Sequence, residues 1–128
     1  MIRLLIADAS EALRIGLRMI FSLDPQHISI VAEESNAHCV LSSAQLYLPD
    51  VVIIDGDFED ADIIIARLAK VCKLSALIVL TMKTDPHVKQ YMRELGASLC
   101  IEKRTSPQEL LNCIHDIAEP TTALPIAA

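Results

Sequence analysis

Residues 49–57, Pro-Asp-Val-Val-Ile-Ile-Asp-Gly-Asp, carry the fold: four β-branched residues in a row end in a carboxylate. Such a run, without polar alternation, reads as a strand buried on both faces, as in a parallel sheet covered by helices. Four further runs of aliphatic and β-branched residues flank it, at 2–7 and 28–32 before it and at 76–81 and 98–102 after it. Longer segments of helical spacing separate the five, which is the pattern of βαβ units. The expected class is α/β, a doubly wound five-stranded parallel sheet with helices on both faces.

Leu13, Leu17, Ile20 and Phe21 share one helical face, as do Val40, Leu41, Ala44 and Leu48, and both sets predict core-facing helices. Asp85-Pro86 and Ser106-Pro107 each set a side-chain acceptor before a proline suited to a first helical turn, and Ser106 with Glu109 forms a capping box. A helix beginning at Asp60 or Asp62 carries Ile63, Ile64, Ile65, Leu68 and Val71, more apolar surface than one face needs; the excess reads as a thicker core.

A chain of 128 residues that is 52% apolar suits one domain, placed at residues 1–118. Residues 119–128, with two prolines among small residues, read as a linker or disordered tail. Seventeen acids against eleven Lys and Arg leave a net charge of -6, which argues against nucleic-acid binding through this segment's own field. Cys39, Cys72, Cys100 and Cys113 form no CxxC pair and read as buried reduced thiols. His27, His38, His87 and His115 lack ligand spacing and read as surface or helix positions. No secretion signal opens the chain and no apolar run approaches the roughly 20 residues of a membrane span, so a cytoplasmic protein without a membrane partner is expected.

In a doubly wound sheet, ligands gather outside the carboxyl ends of the strands. Asp8, Asp55, Thr81 and Lys103 all fall at such ends. A carboxylate nucleophile, a hydroxyl donor, a permanent cation and a further acid to hold a hard cation together suit phosphoryl transfer to Asp55.

The segments LLIAD, PDVVIIDGD, ALIVLT and GASLCIEKRTSPQELL, in that order and spacing, resemble the response-regulator receiver domain of two-component systems across residues 2–118. The flanking wording is nearest the nitrate-regulator (NarL/FixJ) branch, in which a receiver usually precedes a linker and a helix-turn-helix DNA-binding domain. The resemblance implies a flavodoxin-like (βα)5 arrangement with strand order 2-1-3-4-5. It makes Asp55 the phosphoacceptor, Thr81 the switch hydroxyl and Lys103 the cation that pairs with the phosphoryl oxygens. It also implies a Mg²⁺ ion held by Asp8, Asp55 and Asp57, the last through its backbone carbonyl or its side chain. The implied function is phosphorelay signalling: Asp55 takes a phosphoryl group from a sensor histidine kinase or phosphotransfer protein. The domain is a signalling module rather than a metabolic enzyme, homodimerisation is possible, and DNA is met only through an output domain.

Several positions depart from the family's pattern. Ala9 stands where most receivers carry a second acid that touches the metal directly, so Mg²⁺ binding is expected to be weakened or absent. Asp57 either restores the missing charge or faces solvent, and Lys83 reads as an exposed loop lysine. Asp57 to Asp62 replace the Met-Pro-Gly wording after the phosphoacceptor, and Cys100 stands where an aromatic switch residue often does. The alternative is a pseudo-receiver, an interaction module that works without phosphorylation because of Ala9. Asp55-Gly56-Asp57 also has the Asp-x-Asp spacing of haloacid-dehalogenase-type phosphatases, but the nucleophile strand is third rather than first and no acidic pair follows Lys103. A mononucleotide-binding flavodoxin-like protein is disfavoured, since no Gly-rich phosphate loop follows the first strand.

Overall fold

A computed structural model describes residues 1–118, and the expected linker at 119–128 lies outside the described residues. Five strands, β1 (Ile2–Ala7), β2 (Ile28–Glu34), β3 (Val51–Asp55), β4 (Ala76–Thr81) and β5 (Leu99–Glu102), alternate with five helices, α1 (Glu11–Phe21), α2 (Val40–Tyr47), α3 (Ala61–Val71), α4 (Pro86–Leu95) and α5 (Pro107–Ala118). The strands pair in parallel in the order β2-β1-β3-β4-β5, with a register irregularity between Leu4 and Leu5 where β1 meets β2. This is the expected doubly wound, flavodoxin-like sheet. Its order reverses between β1 and β3, so the crevice for a ligand opens beside Asp8 and Asp55.

The pleat divides the core. Leu5, Ala7, Val52, Ile54, Leu77 and Val79 face one layer, where Val40 and Ala44 of α2, Ile65 and Leu68 of α3 and Met92 of α4 pack. Leu4, Ile6, Val51, Ile53, Ile78 and Leu80 face the other, against Leu17 and Phe21 of α1 and Leu110 and Ile114 of α5. Both faces of the central strands are dry, which is why their sequences show no polar alternation.

Helix starts follow their caps. Ser10 Oγ accepts from Leu13 N at 3.1 Å, Asp85 Oδ1 from His87 N at 2.8 Å and Ser106 Oγ from Glu109 N at 3.2 Å. These bonds satisfy amides that the first helical turn leaves unpaired. Helix α3 begins after Asp60, which is left-handed (φ 63°) and makes no side-chain cap bond. At the opposite edge from the strand ends, Asp24 bridges His27 Nδ1 and His115 Nε2, each at 2.7 Å, and so ties α5 to the loop between α1 and β2. Among the described residues, no helix is long and apolar enough to cross a membrane.

Three expectations change. Leu48 does not join the core face of α2: it is the exposed, left-handed residue that ends the helix (φ 49°). The apolar excess of α3 is not thicker core, because Ile63 and Val71 are about half exposed while Ile65 and Leu68 are fully buried. A stripe of that length meets the sheet along one side only. All four thiols are free, but only Cys100 is buried: Cys72 and Cys113 are half-buried and Cys39 is exposed.

The two faces of α3 separate in a stability measurement. Ile65→Ala empties a fully buried site and is expected to cost about 2–5 kcal/mol in urea unfolding, whereas Ile63→Ala should stay within about 0.5 kcal/mol of the parent.

Candidate functional site

The carboxyl edge of the sheet brings Asp8, Asp55, Thr81 and Lys103 together, as their positions in the sequence imply. Asp8 follows β1, and its Oδ1 accepts from Ser10 N at 2.8 Å while Arg14 donates to its backbone carbonyl at 2.7 Å. Asp55 ends β3, and its Oδ1 accepts from Asp57 N and from Lys103 Nζ, both at 2.8 Å. Lys103 follows β5, anchored by its own N–H to the Thr81 carbonyl at 2.8 Å.

The Lys103 ammonium sits among three carboxylates. It lies 2.8 Å from Asp55, 3.2 Å from Asp8 and 3.6 Å from Asp57, with its side chain only 11% exposed. Asp57 is the residue whose part was left open by the sequence. Its Oδ1 accepts the hydroxyl of the fully buried Thr81 at 2.7 Å, and its Oδ2 accepts from Met82 N at 2.9 Å. Lys83 N donates to Thr81 Oγ1 at 3.1 Å, so the hydroxyl accepts one bond and gives its proton to Asp57. The Lys83 side chain is exposed.

Gly56 makes this approach possible, and sequence reading had not singled it out. Its N–H donates to Leu80 O at 2.7 Å, and a Cβ there would stand 2.6 Å from Val79 Cγ1. Only a residue without a side chain lets the chain leave β3 so close to β4, and that closeness carries Asp57 to Thr81. The Asp-Gly-Asp spacing held the signal.

Charge sets the titration. Burial, with the neighbouring Asp55 charge adding to it, holds the Asp8 carboxyl above its ordinary range despite the Ser10 N–H and Lys103. Burial also acts on Asp57, but the Met82 N–H, the Thr81 hydroxyl and the Lys103 charge outweigh it and hold that carboxyl below its ordinary range. For Lys103, burial favours the neutral amine, yet the bonds and charges of Asp55 and Asp8 prevail and push its pKa up. Cys100, 2% exposed, has its thiol pushed up by burial and is an inert core residue.

The expected Mg²⁺ donors Asp8, Asp55 and Asp57 thus converge on an ammonium group. Mg²⁺ demands near-octahedral oxygen donors. Here Ala9 offers only a methyl group, both Asp57 oxygens already accept hydrogen bonds, and Lys103 holds the centre of the acidic set. Among the described residues no three His, Cys, Asp or Glu side chains are placed to hold a metal ion. As arranged, the donor set does not fit the ion.

No family model matches the chain. A Pseudomonas aeruginosa protein provisionally named a transcriptional regulator is 30% identical over 113 residues, covering 87% of this chain and 54% of that protein, so the chain spans about half the length of this curated relative. The signal receiver domain of a provisionally named response regulator, NarL from Mycobacterium tuberculosis, superposes with a TM-score of 0.84 at 19% identity over 91% of this chain and 95% of that one. The isolated receiver domain of RcsB from Salmonella enterica serovar Typhimurium, determined with the phosphomimetic BeF₃⁻, gives a TM-score of 0.80 at 18% identity over 91% and 87%. The chain has the fold of response-regulator receiver domains, with structural neighbours in NarL- and LuxR-type regulators.

The raised Asp8 pKa means that the folded state holds this proton more tightly than the unfolded chain does. Ionised Asp8 therefore costs stability above its folded pKa, and the cost vanishes as pH falls to the ordinary carboxyl value. Asp57 has the opposite sign: its contribution is present above the ordinary carboxyl pKa and is lost as pH falls through its depressed folded value. Asp8→Asn is accordingly expected to raise the urea midpoint at about pH 7 and to lose that advantage at about pH 4, which paired unfolding curves would measure.

Proposed function

We propose that this chain is the receiver domain of a two-component regulator, with Asp55 as its phosphoacceptor and transcription as the output of the longer protein. The observation that carries this reading is the meeting of Asp55, Thr81 and Lys103 at three successive strand ends, with the Lys103 ammonium 2.8 Å from the Asp55 carboxylate. Asp55 Oδ1 is engaged by Lys103 and by Asp57 N, which leaves Oδ2 as the attacking oxygen. In the transfer, a P–O bond forms at Oδ2 as the P–N bond of a phosphohistidine breaks. The electron pair returns to the imidazole nitrogen, and Lys103 takes up charge on the phosphoryl oxygens.

The donor would be a sensor histidine kinase or phosphotransfer protein, and a cytoplasmic setting follows from that chemistry. DNA would be met by an output domain, in keeping with the longer relative named a transcriptional regulator. Residues 1–118 would be the signalling unit and 119–128 the link to what it controls; a homodimer is one form that the output could take. The domain turns over no metabolite, and its own chemistry is limited to gaining and losing the phosphoryl group.

One observation favours a second reading, an interaction module that signals without phosphate. Ala9 removes an acid from the pocket, and Lys103 neutralises part of what remains, so the arrangement is complete without a further ion. The test is incubation with acetyl phosphate over a Mg²⁺ series, read by intact mass. The phosphoacceptor reading expects one phosphoryl adduct, absent from Asp55→Asn and more abundant in Ala9→Asp. A folded protein that takes no adduct, even as Ala9→Asp, overturns it; an adduct confined to Ala9→Asp supports the second reading.

A further inference from the structure

We propose that Asp57 is a built-in substitute for the phosphoryl group, latching Thr81 in its ligand-engaged position while Asp55 is unmodified. The inference rests on the receiver reading for what the latch replaces, but the latch itself needs no phosphoryl donor to be observed.

A phosphoryl group on Asp55 is an anion with several acceptor oxygens, and it needs donors at the edge of the sheet. The donors at that edge are the Thr81 hydroxyl, the Met82 N–H and the Lys103 ammonium, with the Asp57 N–H already on Asp55 Oδ1 at 2.8 Å. The Asp57 carboxylate already takes the first at 2.7 Å and the second at 2.9 Å, and it lies 3.6 Å from the third. It is itself an anion with two acceptor oxygens, so it meets these donors with the same sign of charge and the same bonding role. A buried hydroxyl must donate to some acceptor, and Thr81 is fully buried. Its direction is therefore set by whichever anion stands before it, and here that anion belongs to the chain.

The latch reaches beyond the pocket. Thr81 pairs in register with Glu102 of β5, and Thr81 O accepts from Lys103 N. Glu102 in turn holds Lys89 of α4 at 2.7 Å. A continuous set of contacts thus runs from Asp57 through the end of β4 to β5 and α4. With Thr81 held inward by Asp57, these elements take the arrangement that a phosphoryl group would otherwise select. Phosphorylation would displace one anion by another at the same donors and would change the downstream face little.

The test compares amide NMR spectra of the chain, Asp57→Ala and Asp57→Asn, with and without beryllofluoride as the phosphoryl analogue, after unfolding curves show that each variant is folded. Without the analogue, Asp57→Ala should shift the Thr81, Met82 and Lys83 amides together with residues of α4. Exchange of the Met82 amide should accelerate on the order of tenfold through loss of a bond to a charged acceptor, with Asp57→Asn intermediate. Beryllofluoride should return the Asp57→Ala spectrum toward that of the unmodified parent while moving the parent little. Unchanged amides at residues 81–83 and in α4 on removing Asp57 overturn the latch, and so does an equal response of parent and Asp57→Ala to the analogue. Failure of beryllofluoride to bind either protein counts against Asp55 as acceptor, and the comparison without the analogue then decides the latch alone.

Discussion

One ammonium group facing three carboxylates is the constraint around which this molecule is built. Lys103 is nearly buried, and the acids around it come from the ends of β1 and β3 and the loop that follows β3. Removing such a cluster from water is costly, and the arrangement holds because the charges face one another and each carboxylate accepts at least one further N–H or O–H bond. Those donors are backbone and hydroxyl groups: Ser10 N for Asp8, Asp57 N for Asp55, Met82 N and Thr81 for Asp57. The parallel sheet supplies the geometry, since every strand delivers its last residue to the same edge.

Ala9 and Asp57 become intelligible together. In the family that this chain resembles, a second acid beside Asp8 helps to hold a divalent cation. In this pocket a fourth carboxylate would crowd three that already share Lys103, and burial with the Asp55 charge already holds Asp8 above its ordinary range. An acid at position 57 instead stands on the opposite side of Asp55, where Thr81, Met82 N and Lys103 hold it ionised. The acid of this pocket that has no counterpart at position 9 thus stands beside the Thr81 hydroxyl.

Much of this was readable in the sequence, for physical reasons. Buried parallel strands show as unbroken aliphatic runs, so β1, β3 and β4 have the expected bounds, and polar residues at their ends stand out against that background. Caps at Asp85 and Ser106 were visible because a proline follows each. What the sequence concealed depends on three-dimensional approach. The turn of Asp57 toward Thr81 requires Gly56 to pass against Val79, a contact between strands that spacing does not encode. The clasp of Asp24 with His115 joins residues far apart in the chain, so the histidines gave no ligand-like signal. Leu48 fits the helical period of α2, but periodicity does not register the left-handed turn that ends the helix one residue earlier.

The central claim, that Lys103 is the charge on which the acidic edge depends, is tested most directly by equilibrium urea unfolding of Lys103→Met at neutral pH. Methionine keeps much of the length and apolar bulk of the side chain while deleting its charge. The expected result is a loss of about 3–5 kcal/mol, the usual cost of leaving buried partners of one charge uncompensated. A loss below about 1 kcal/mol, the range of an exposed ion pair, would contradict it and show that water, not Lys103, neutralises Asp8, Asp55 and Asp57.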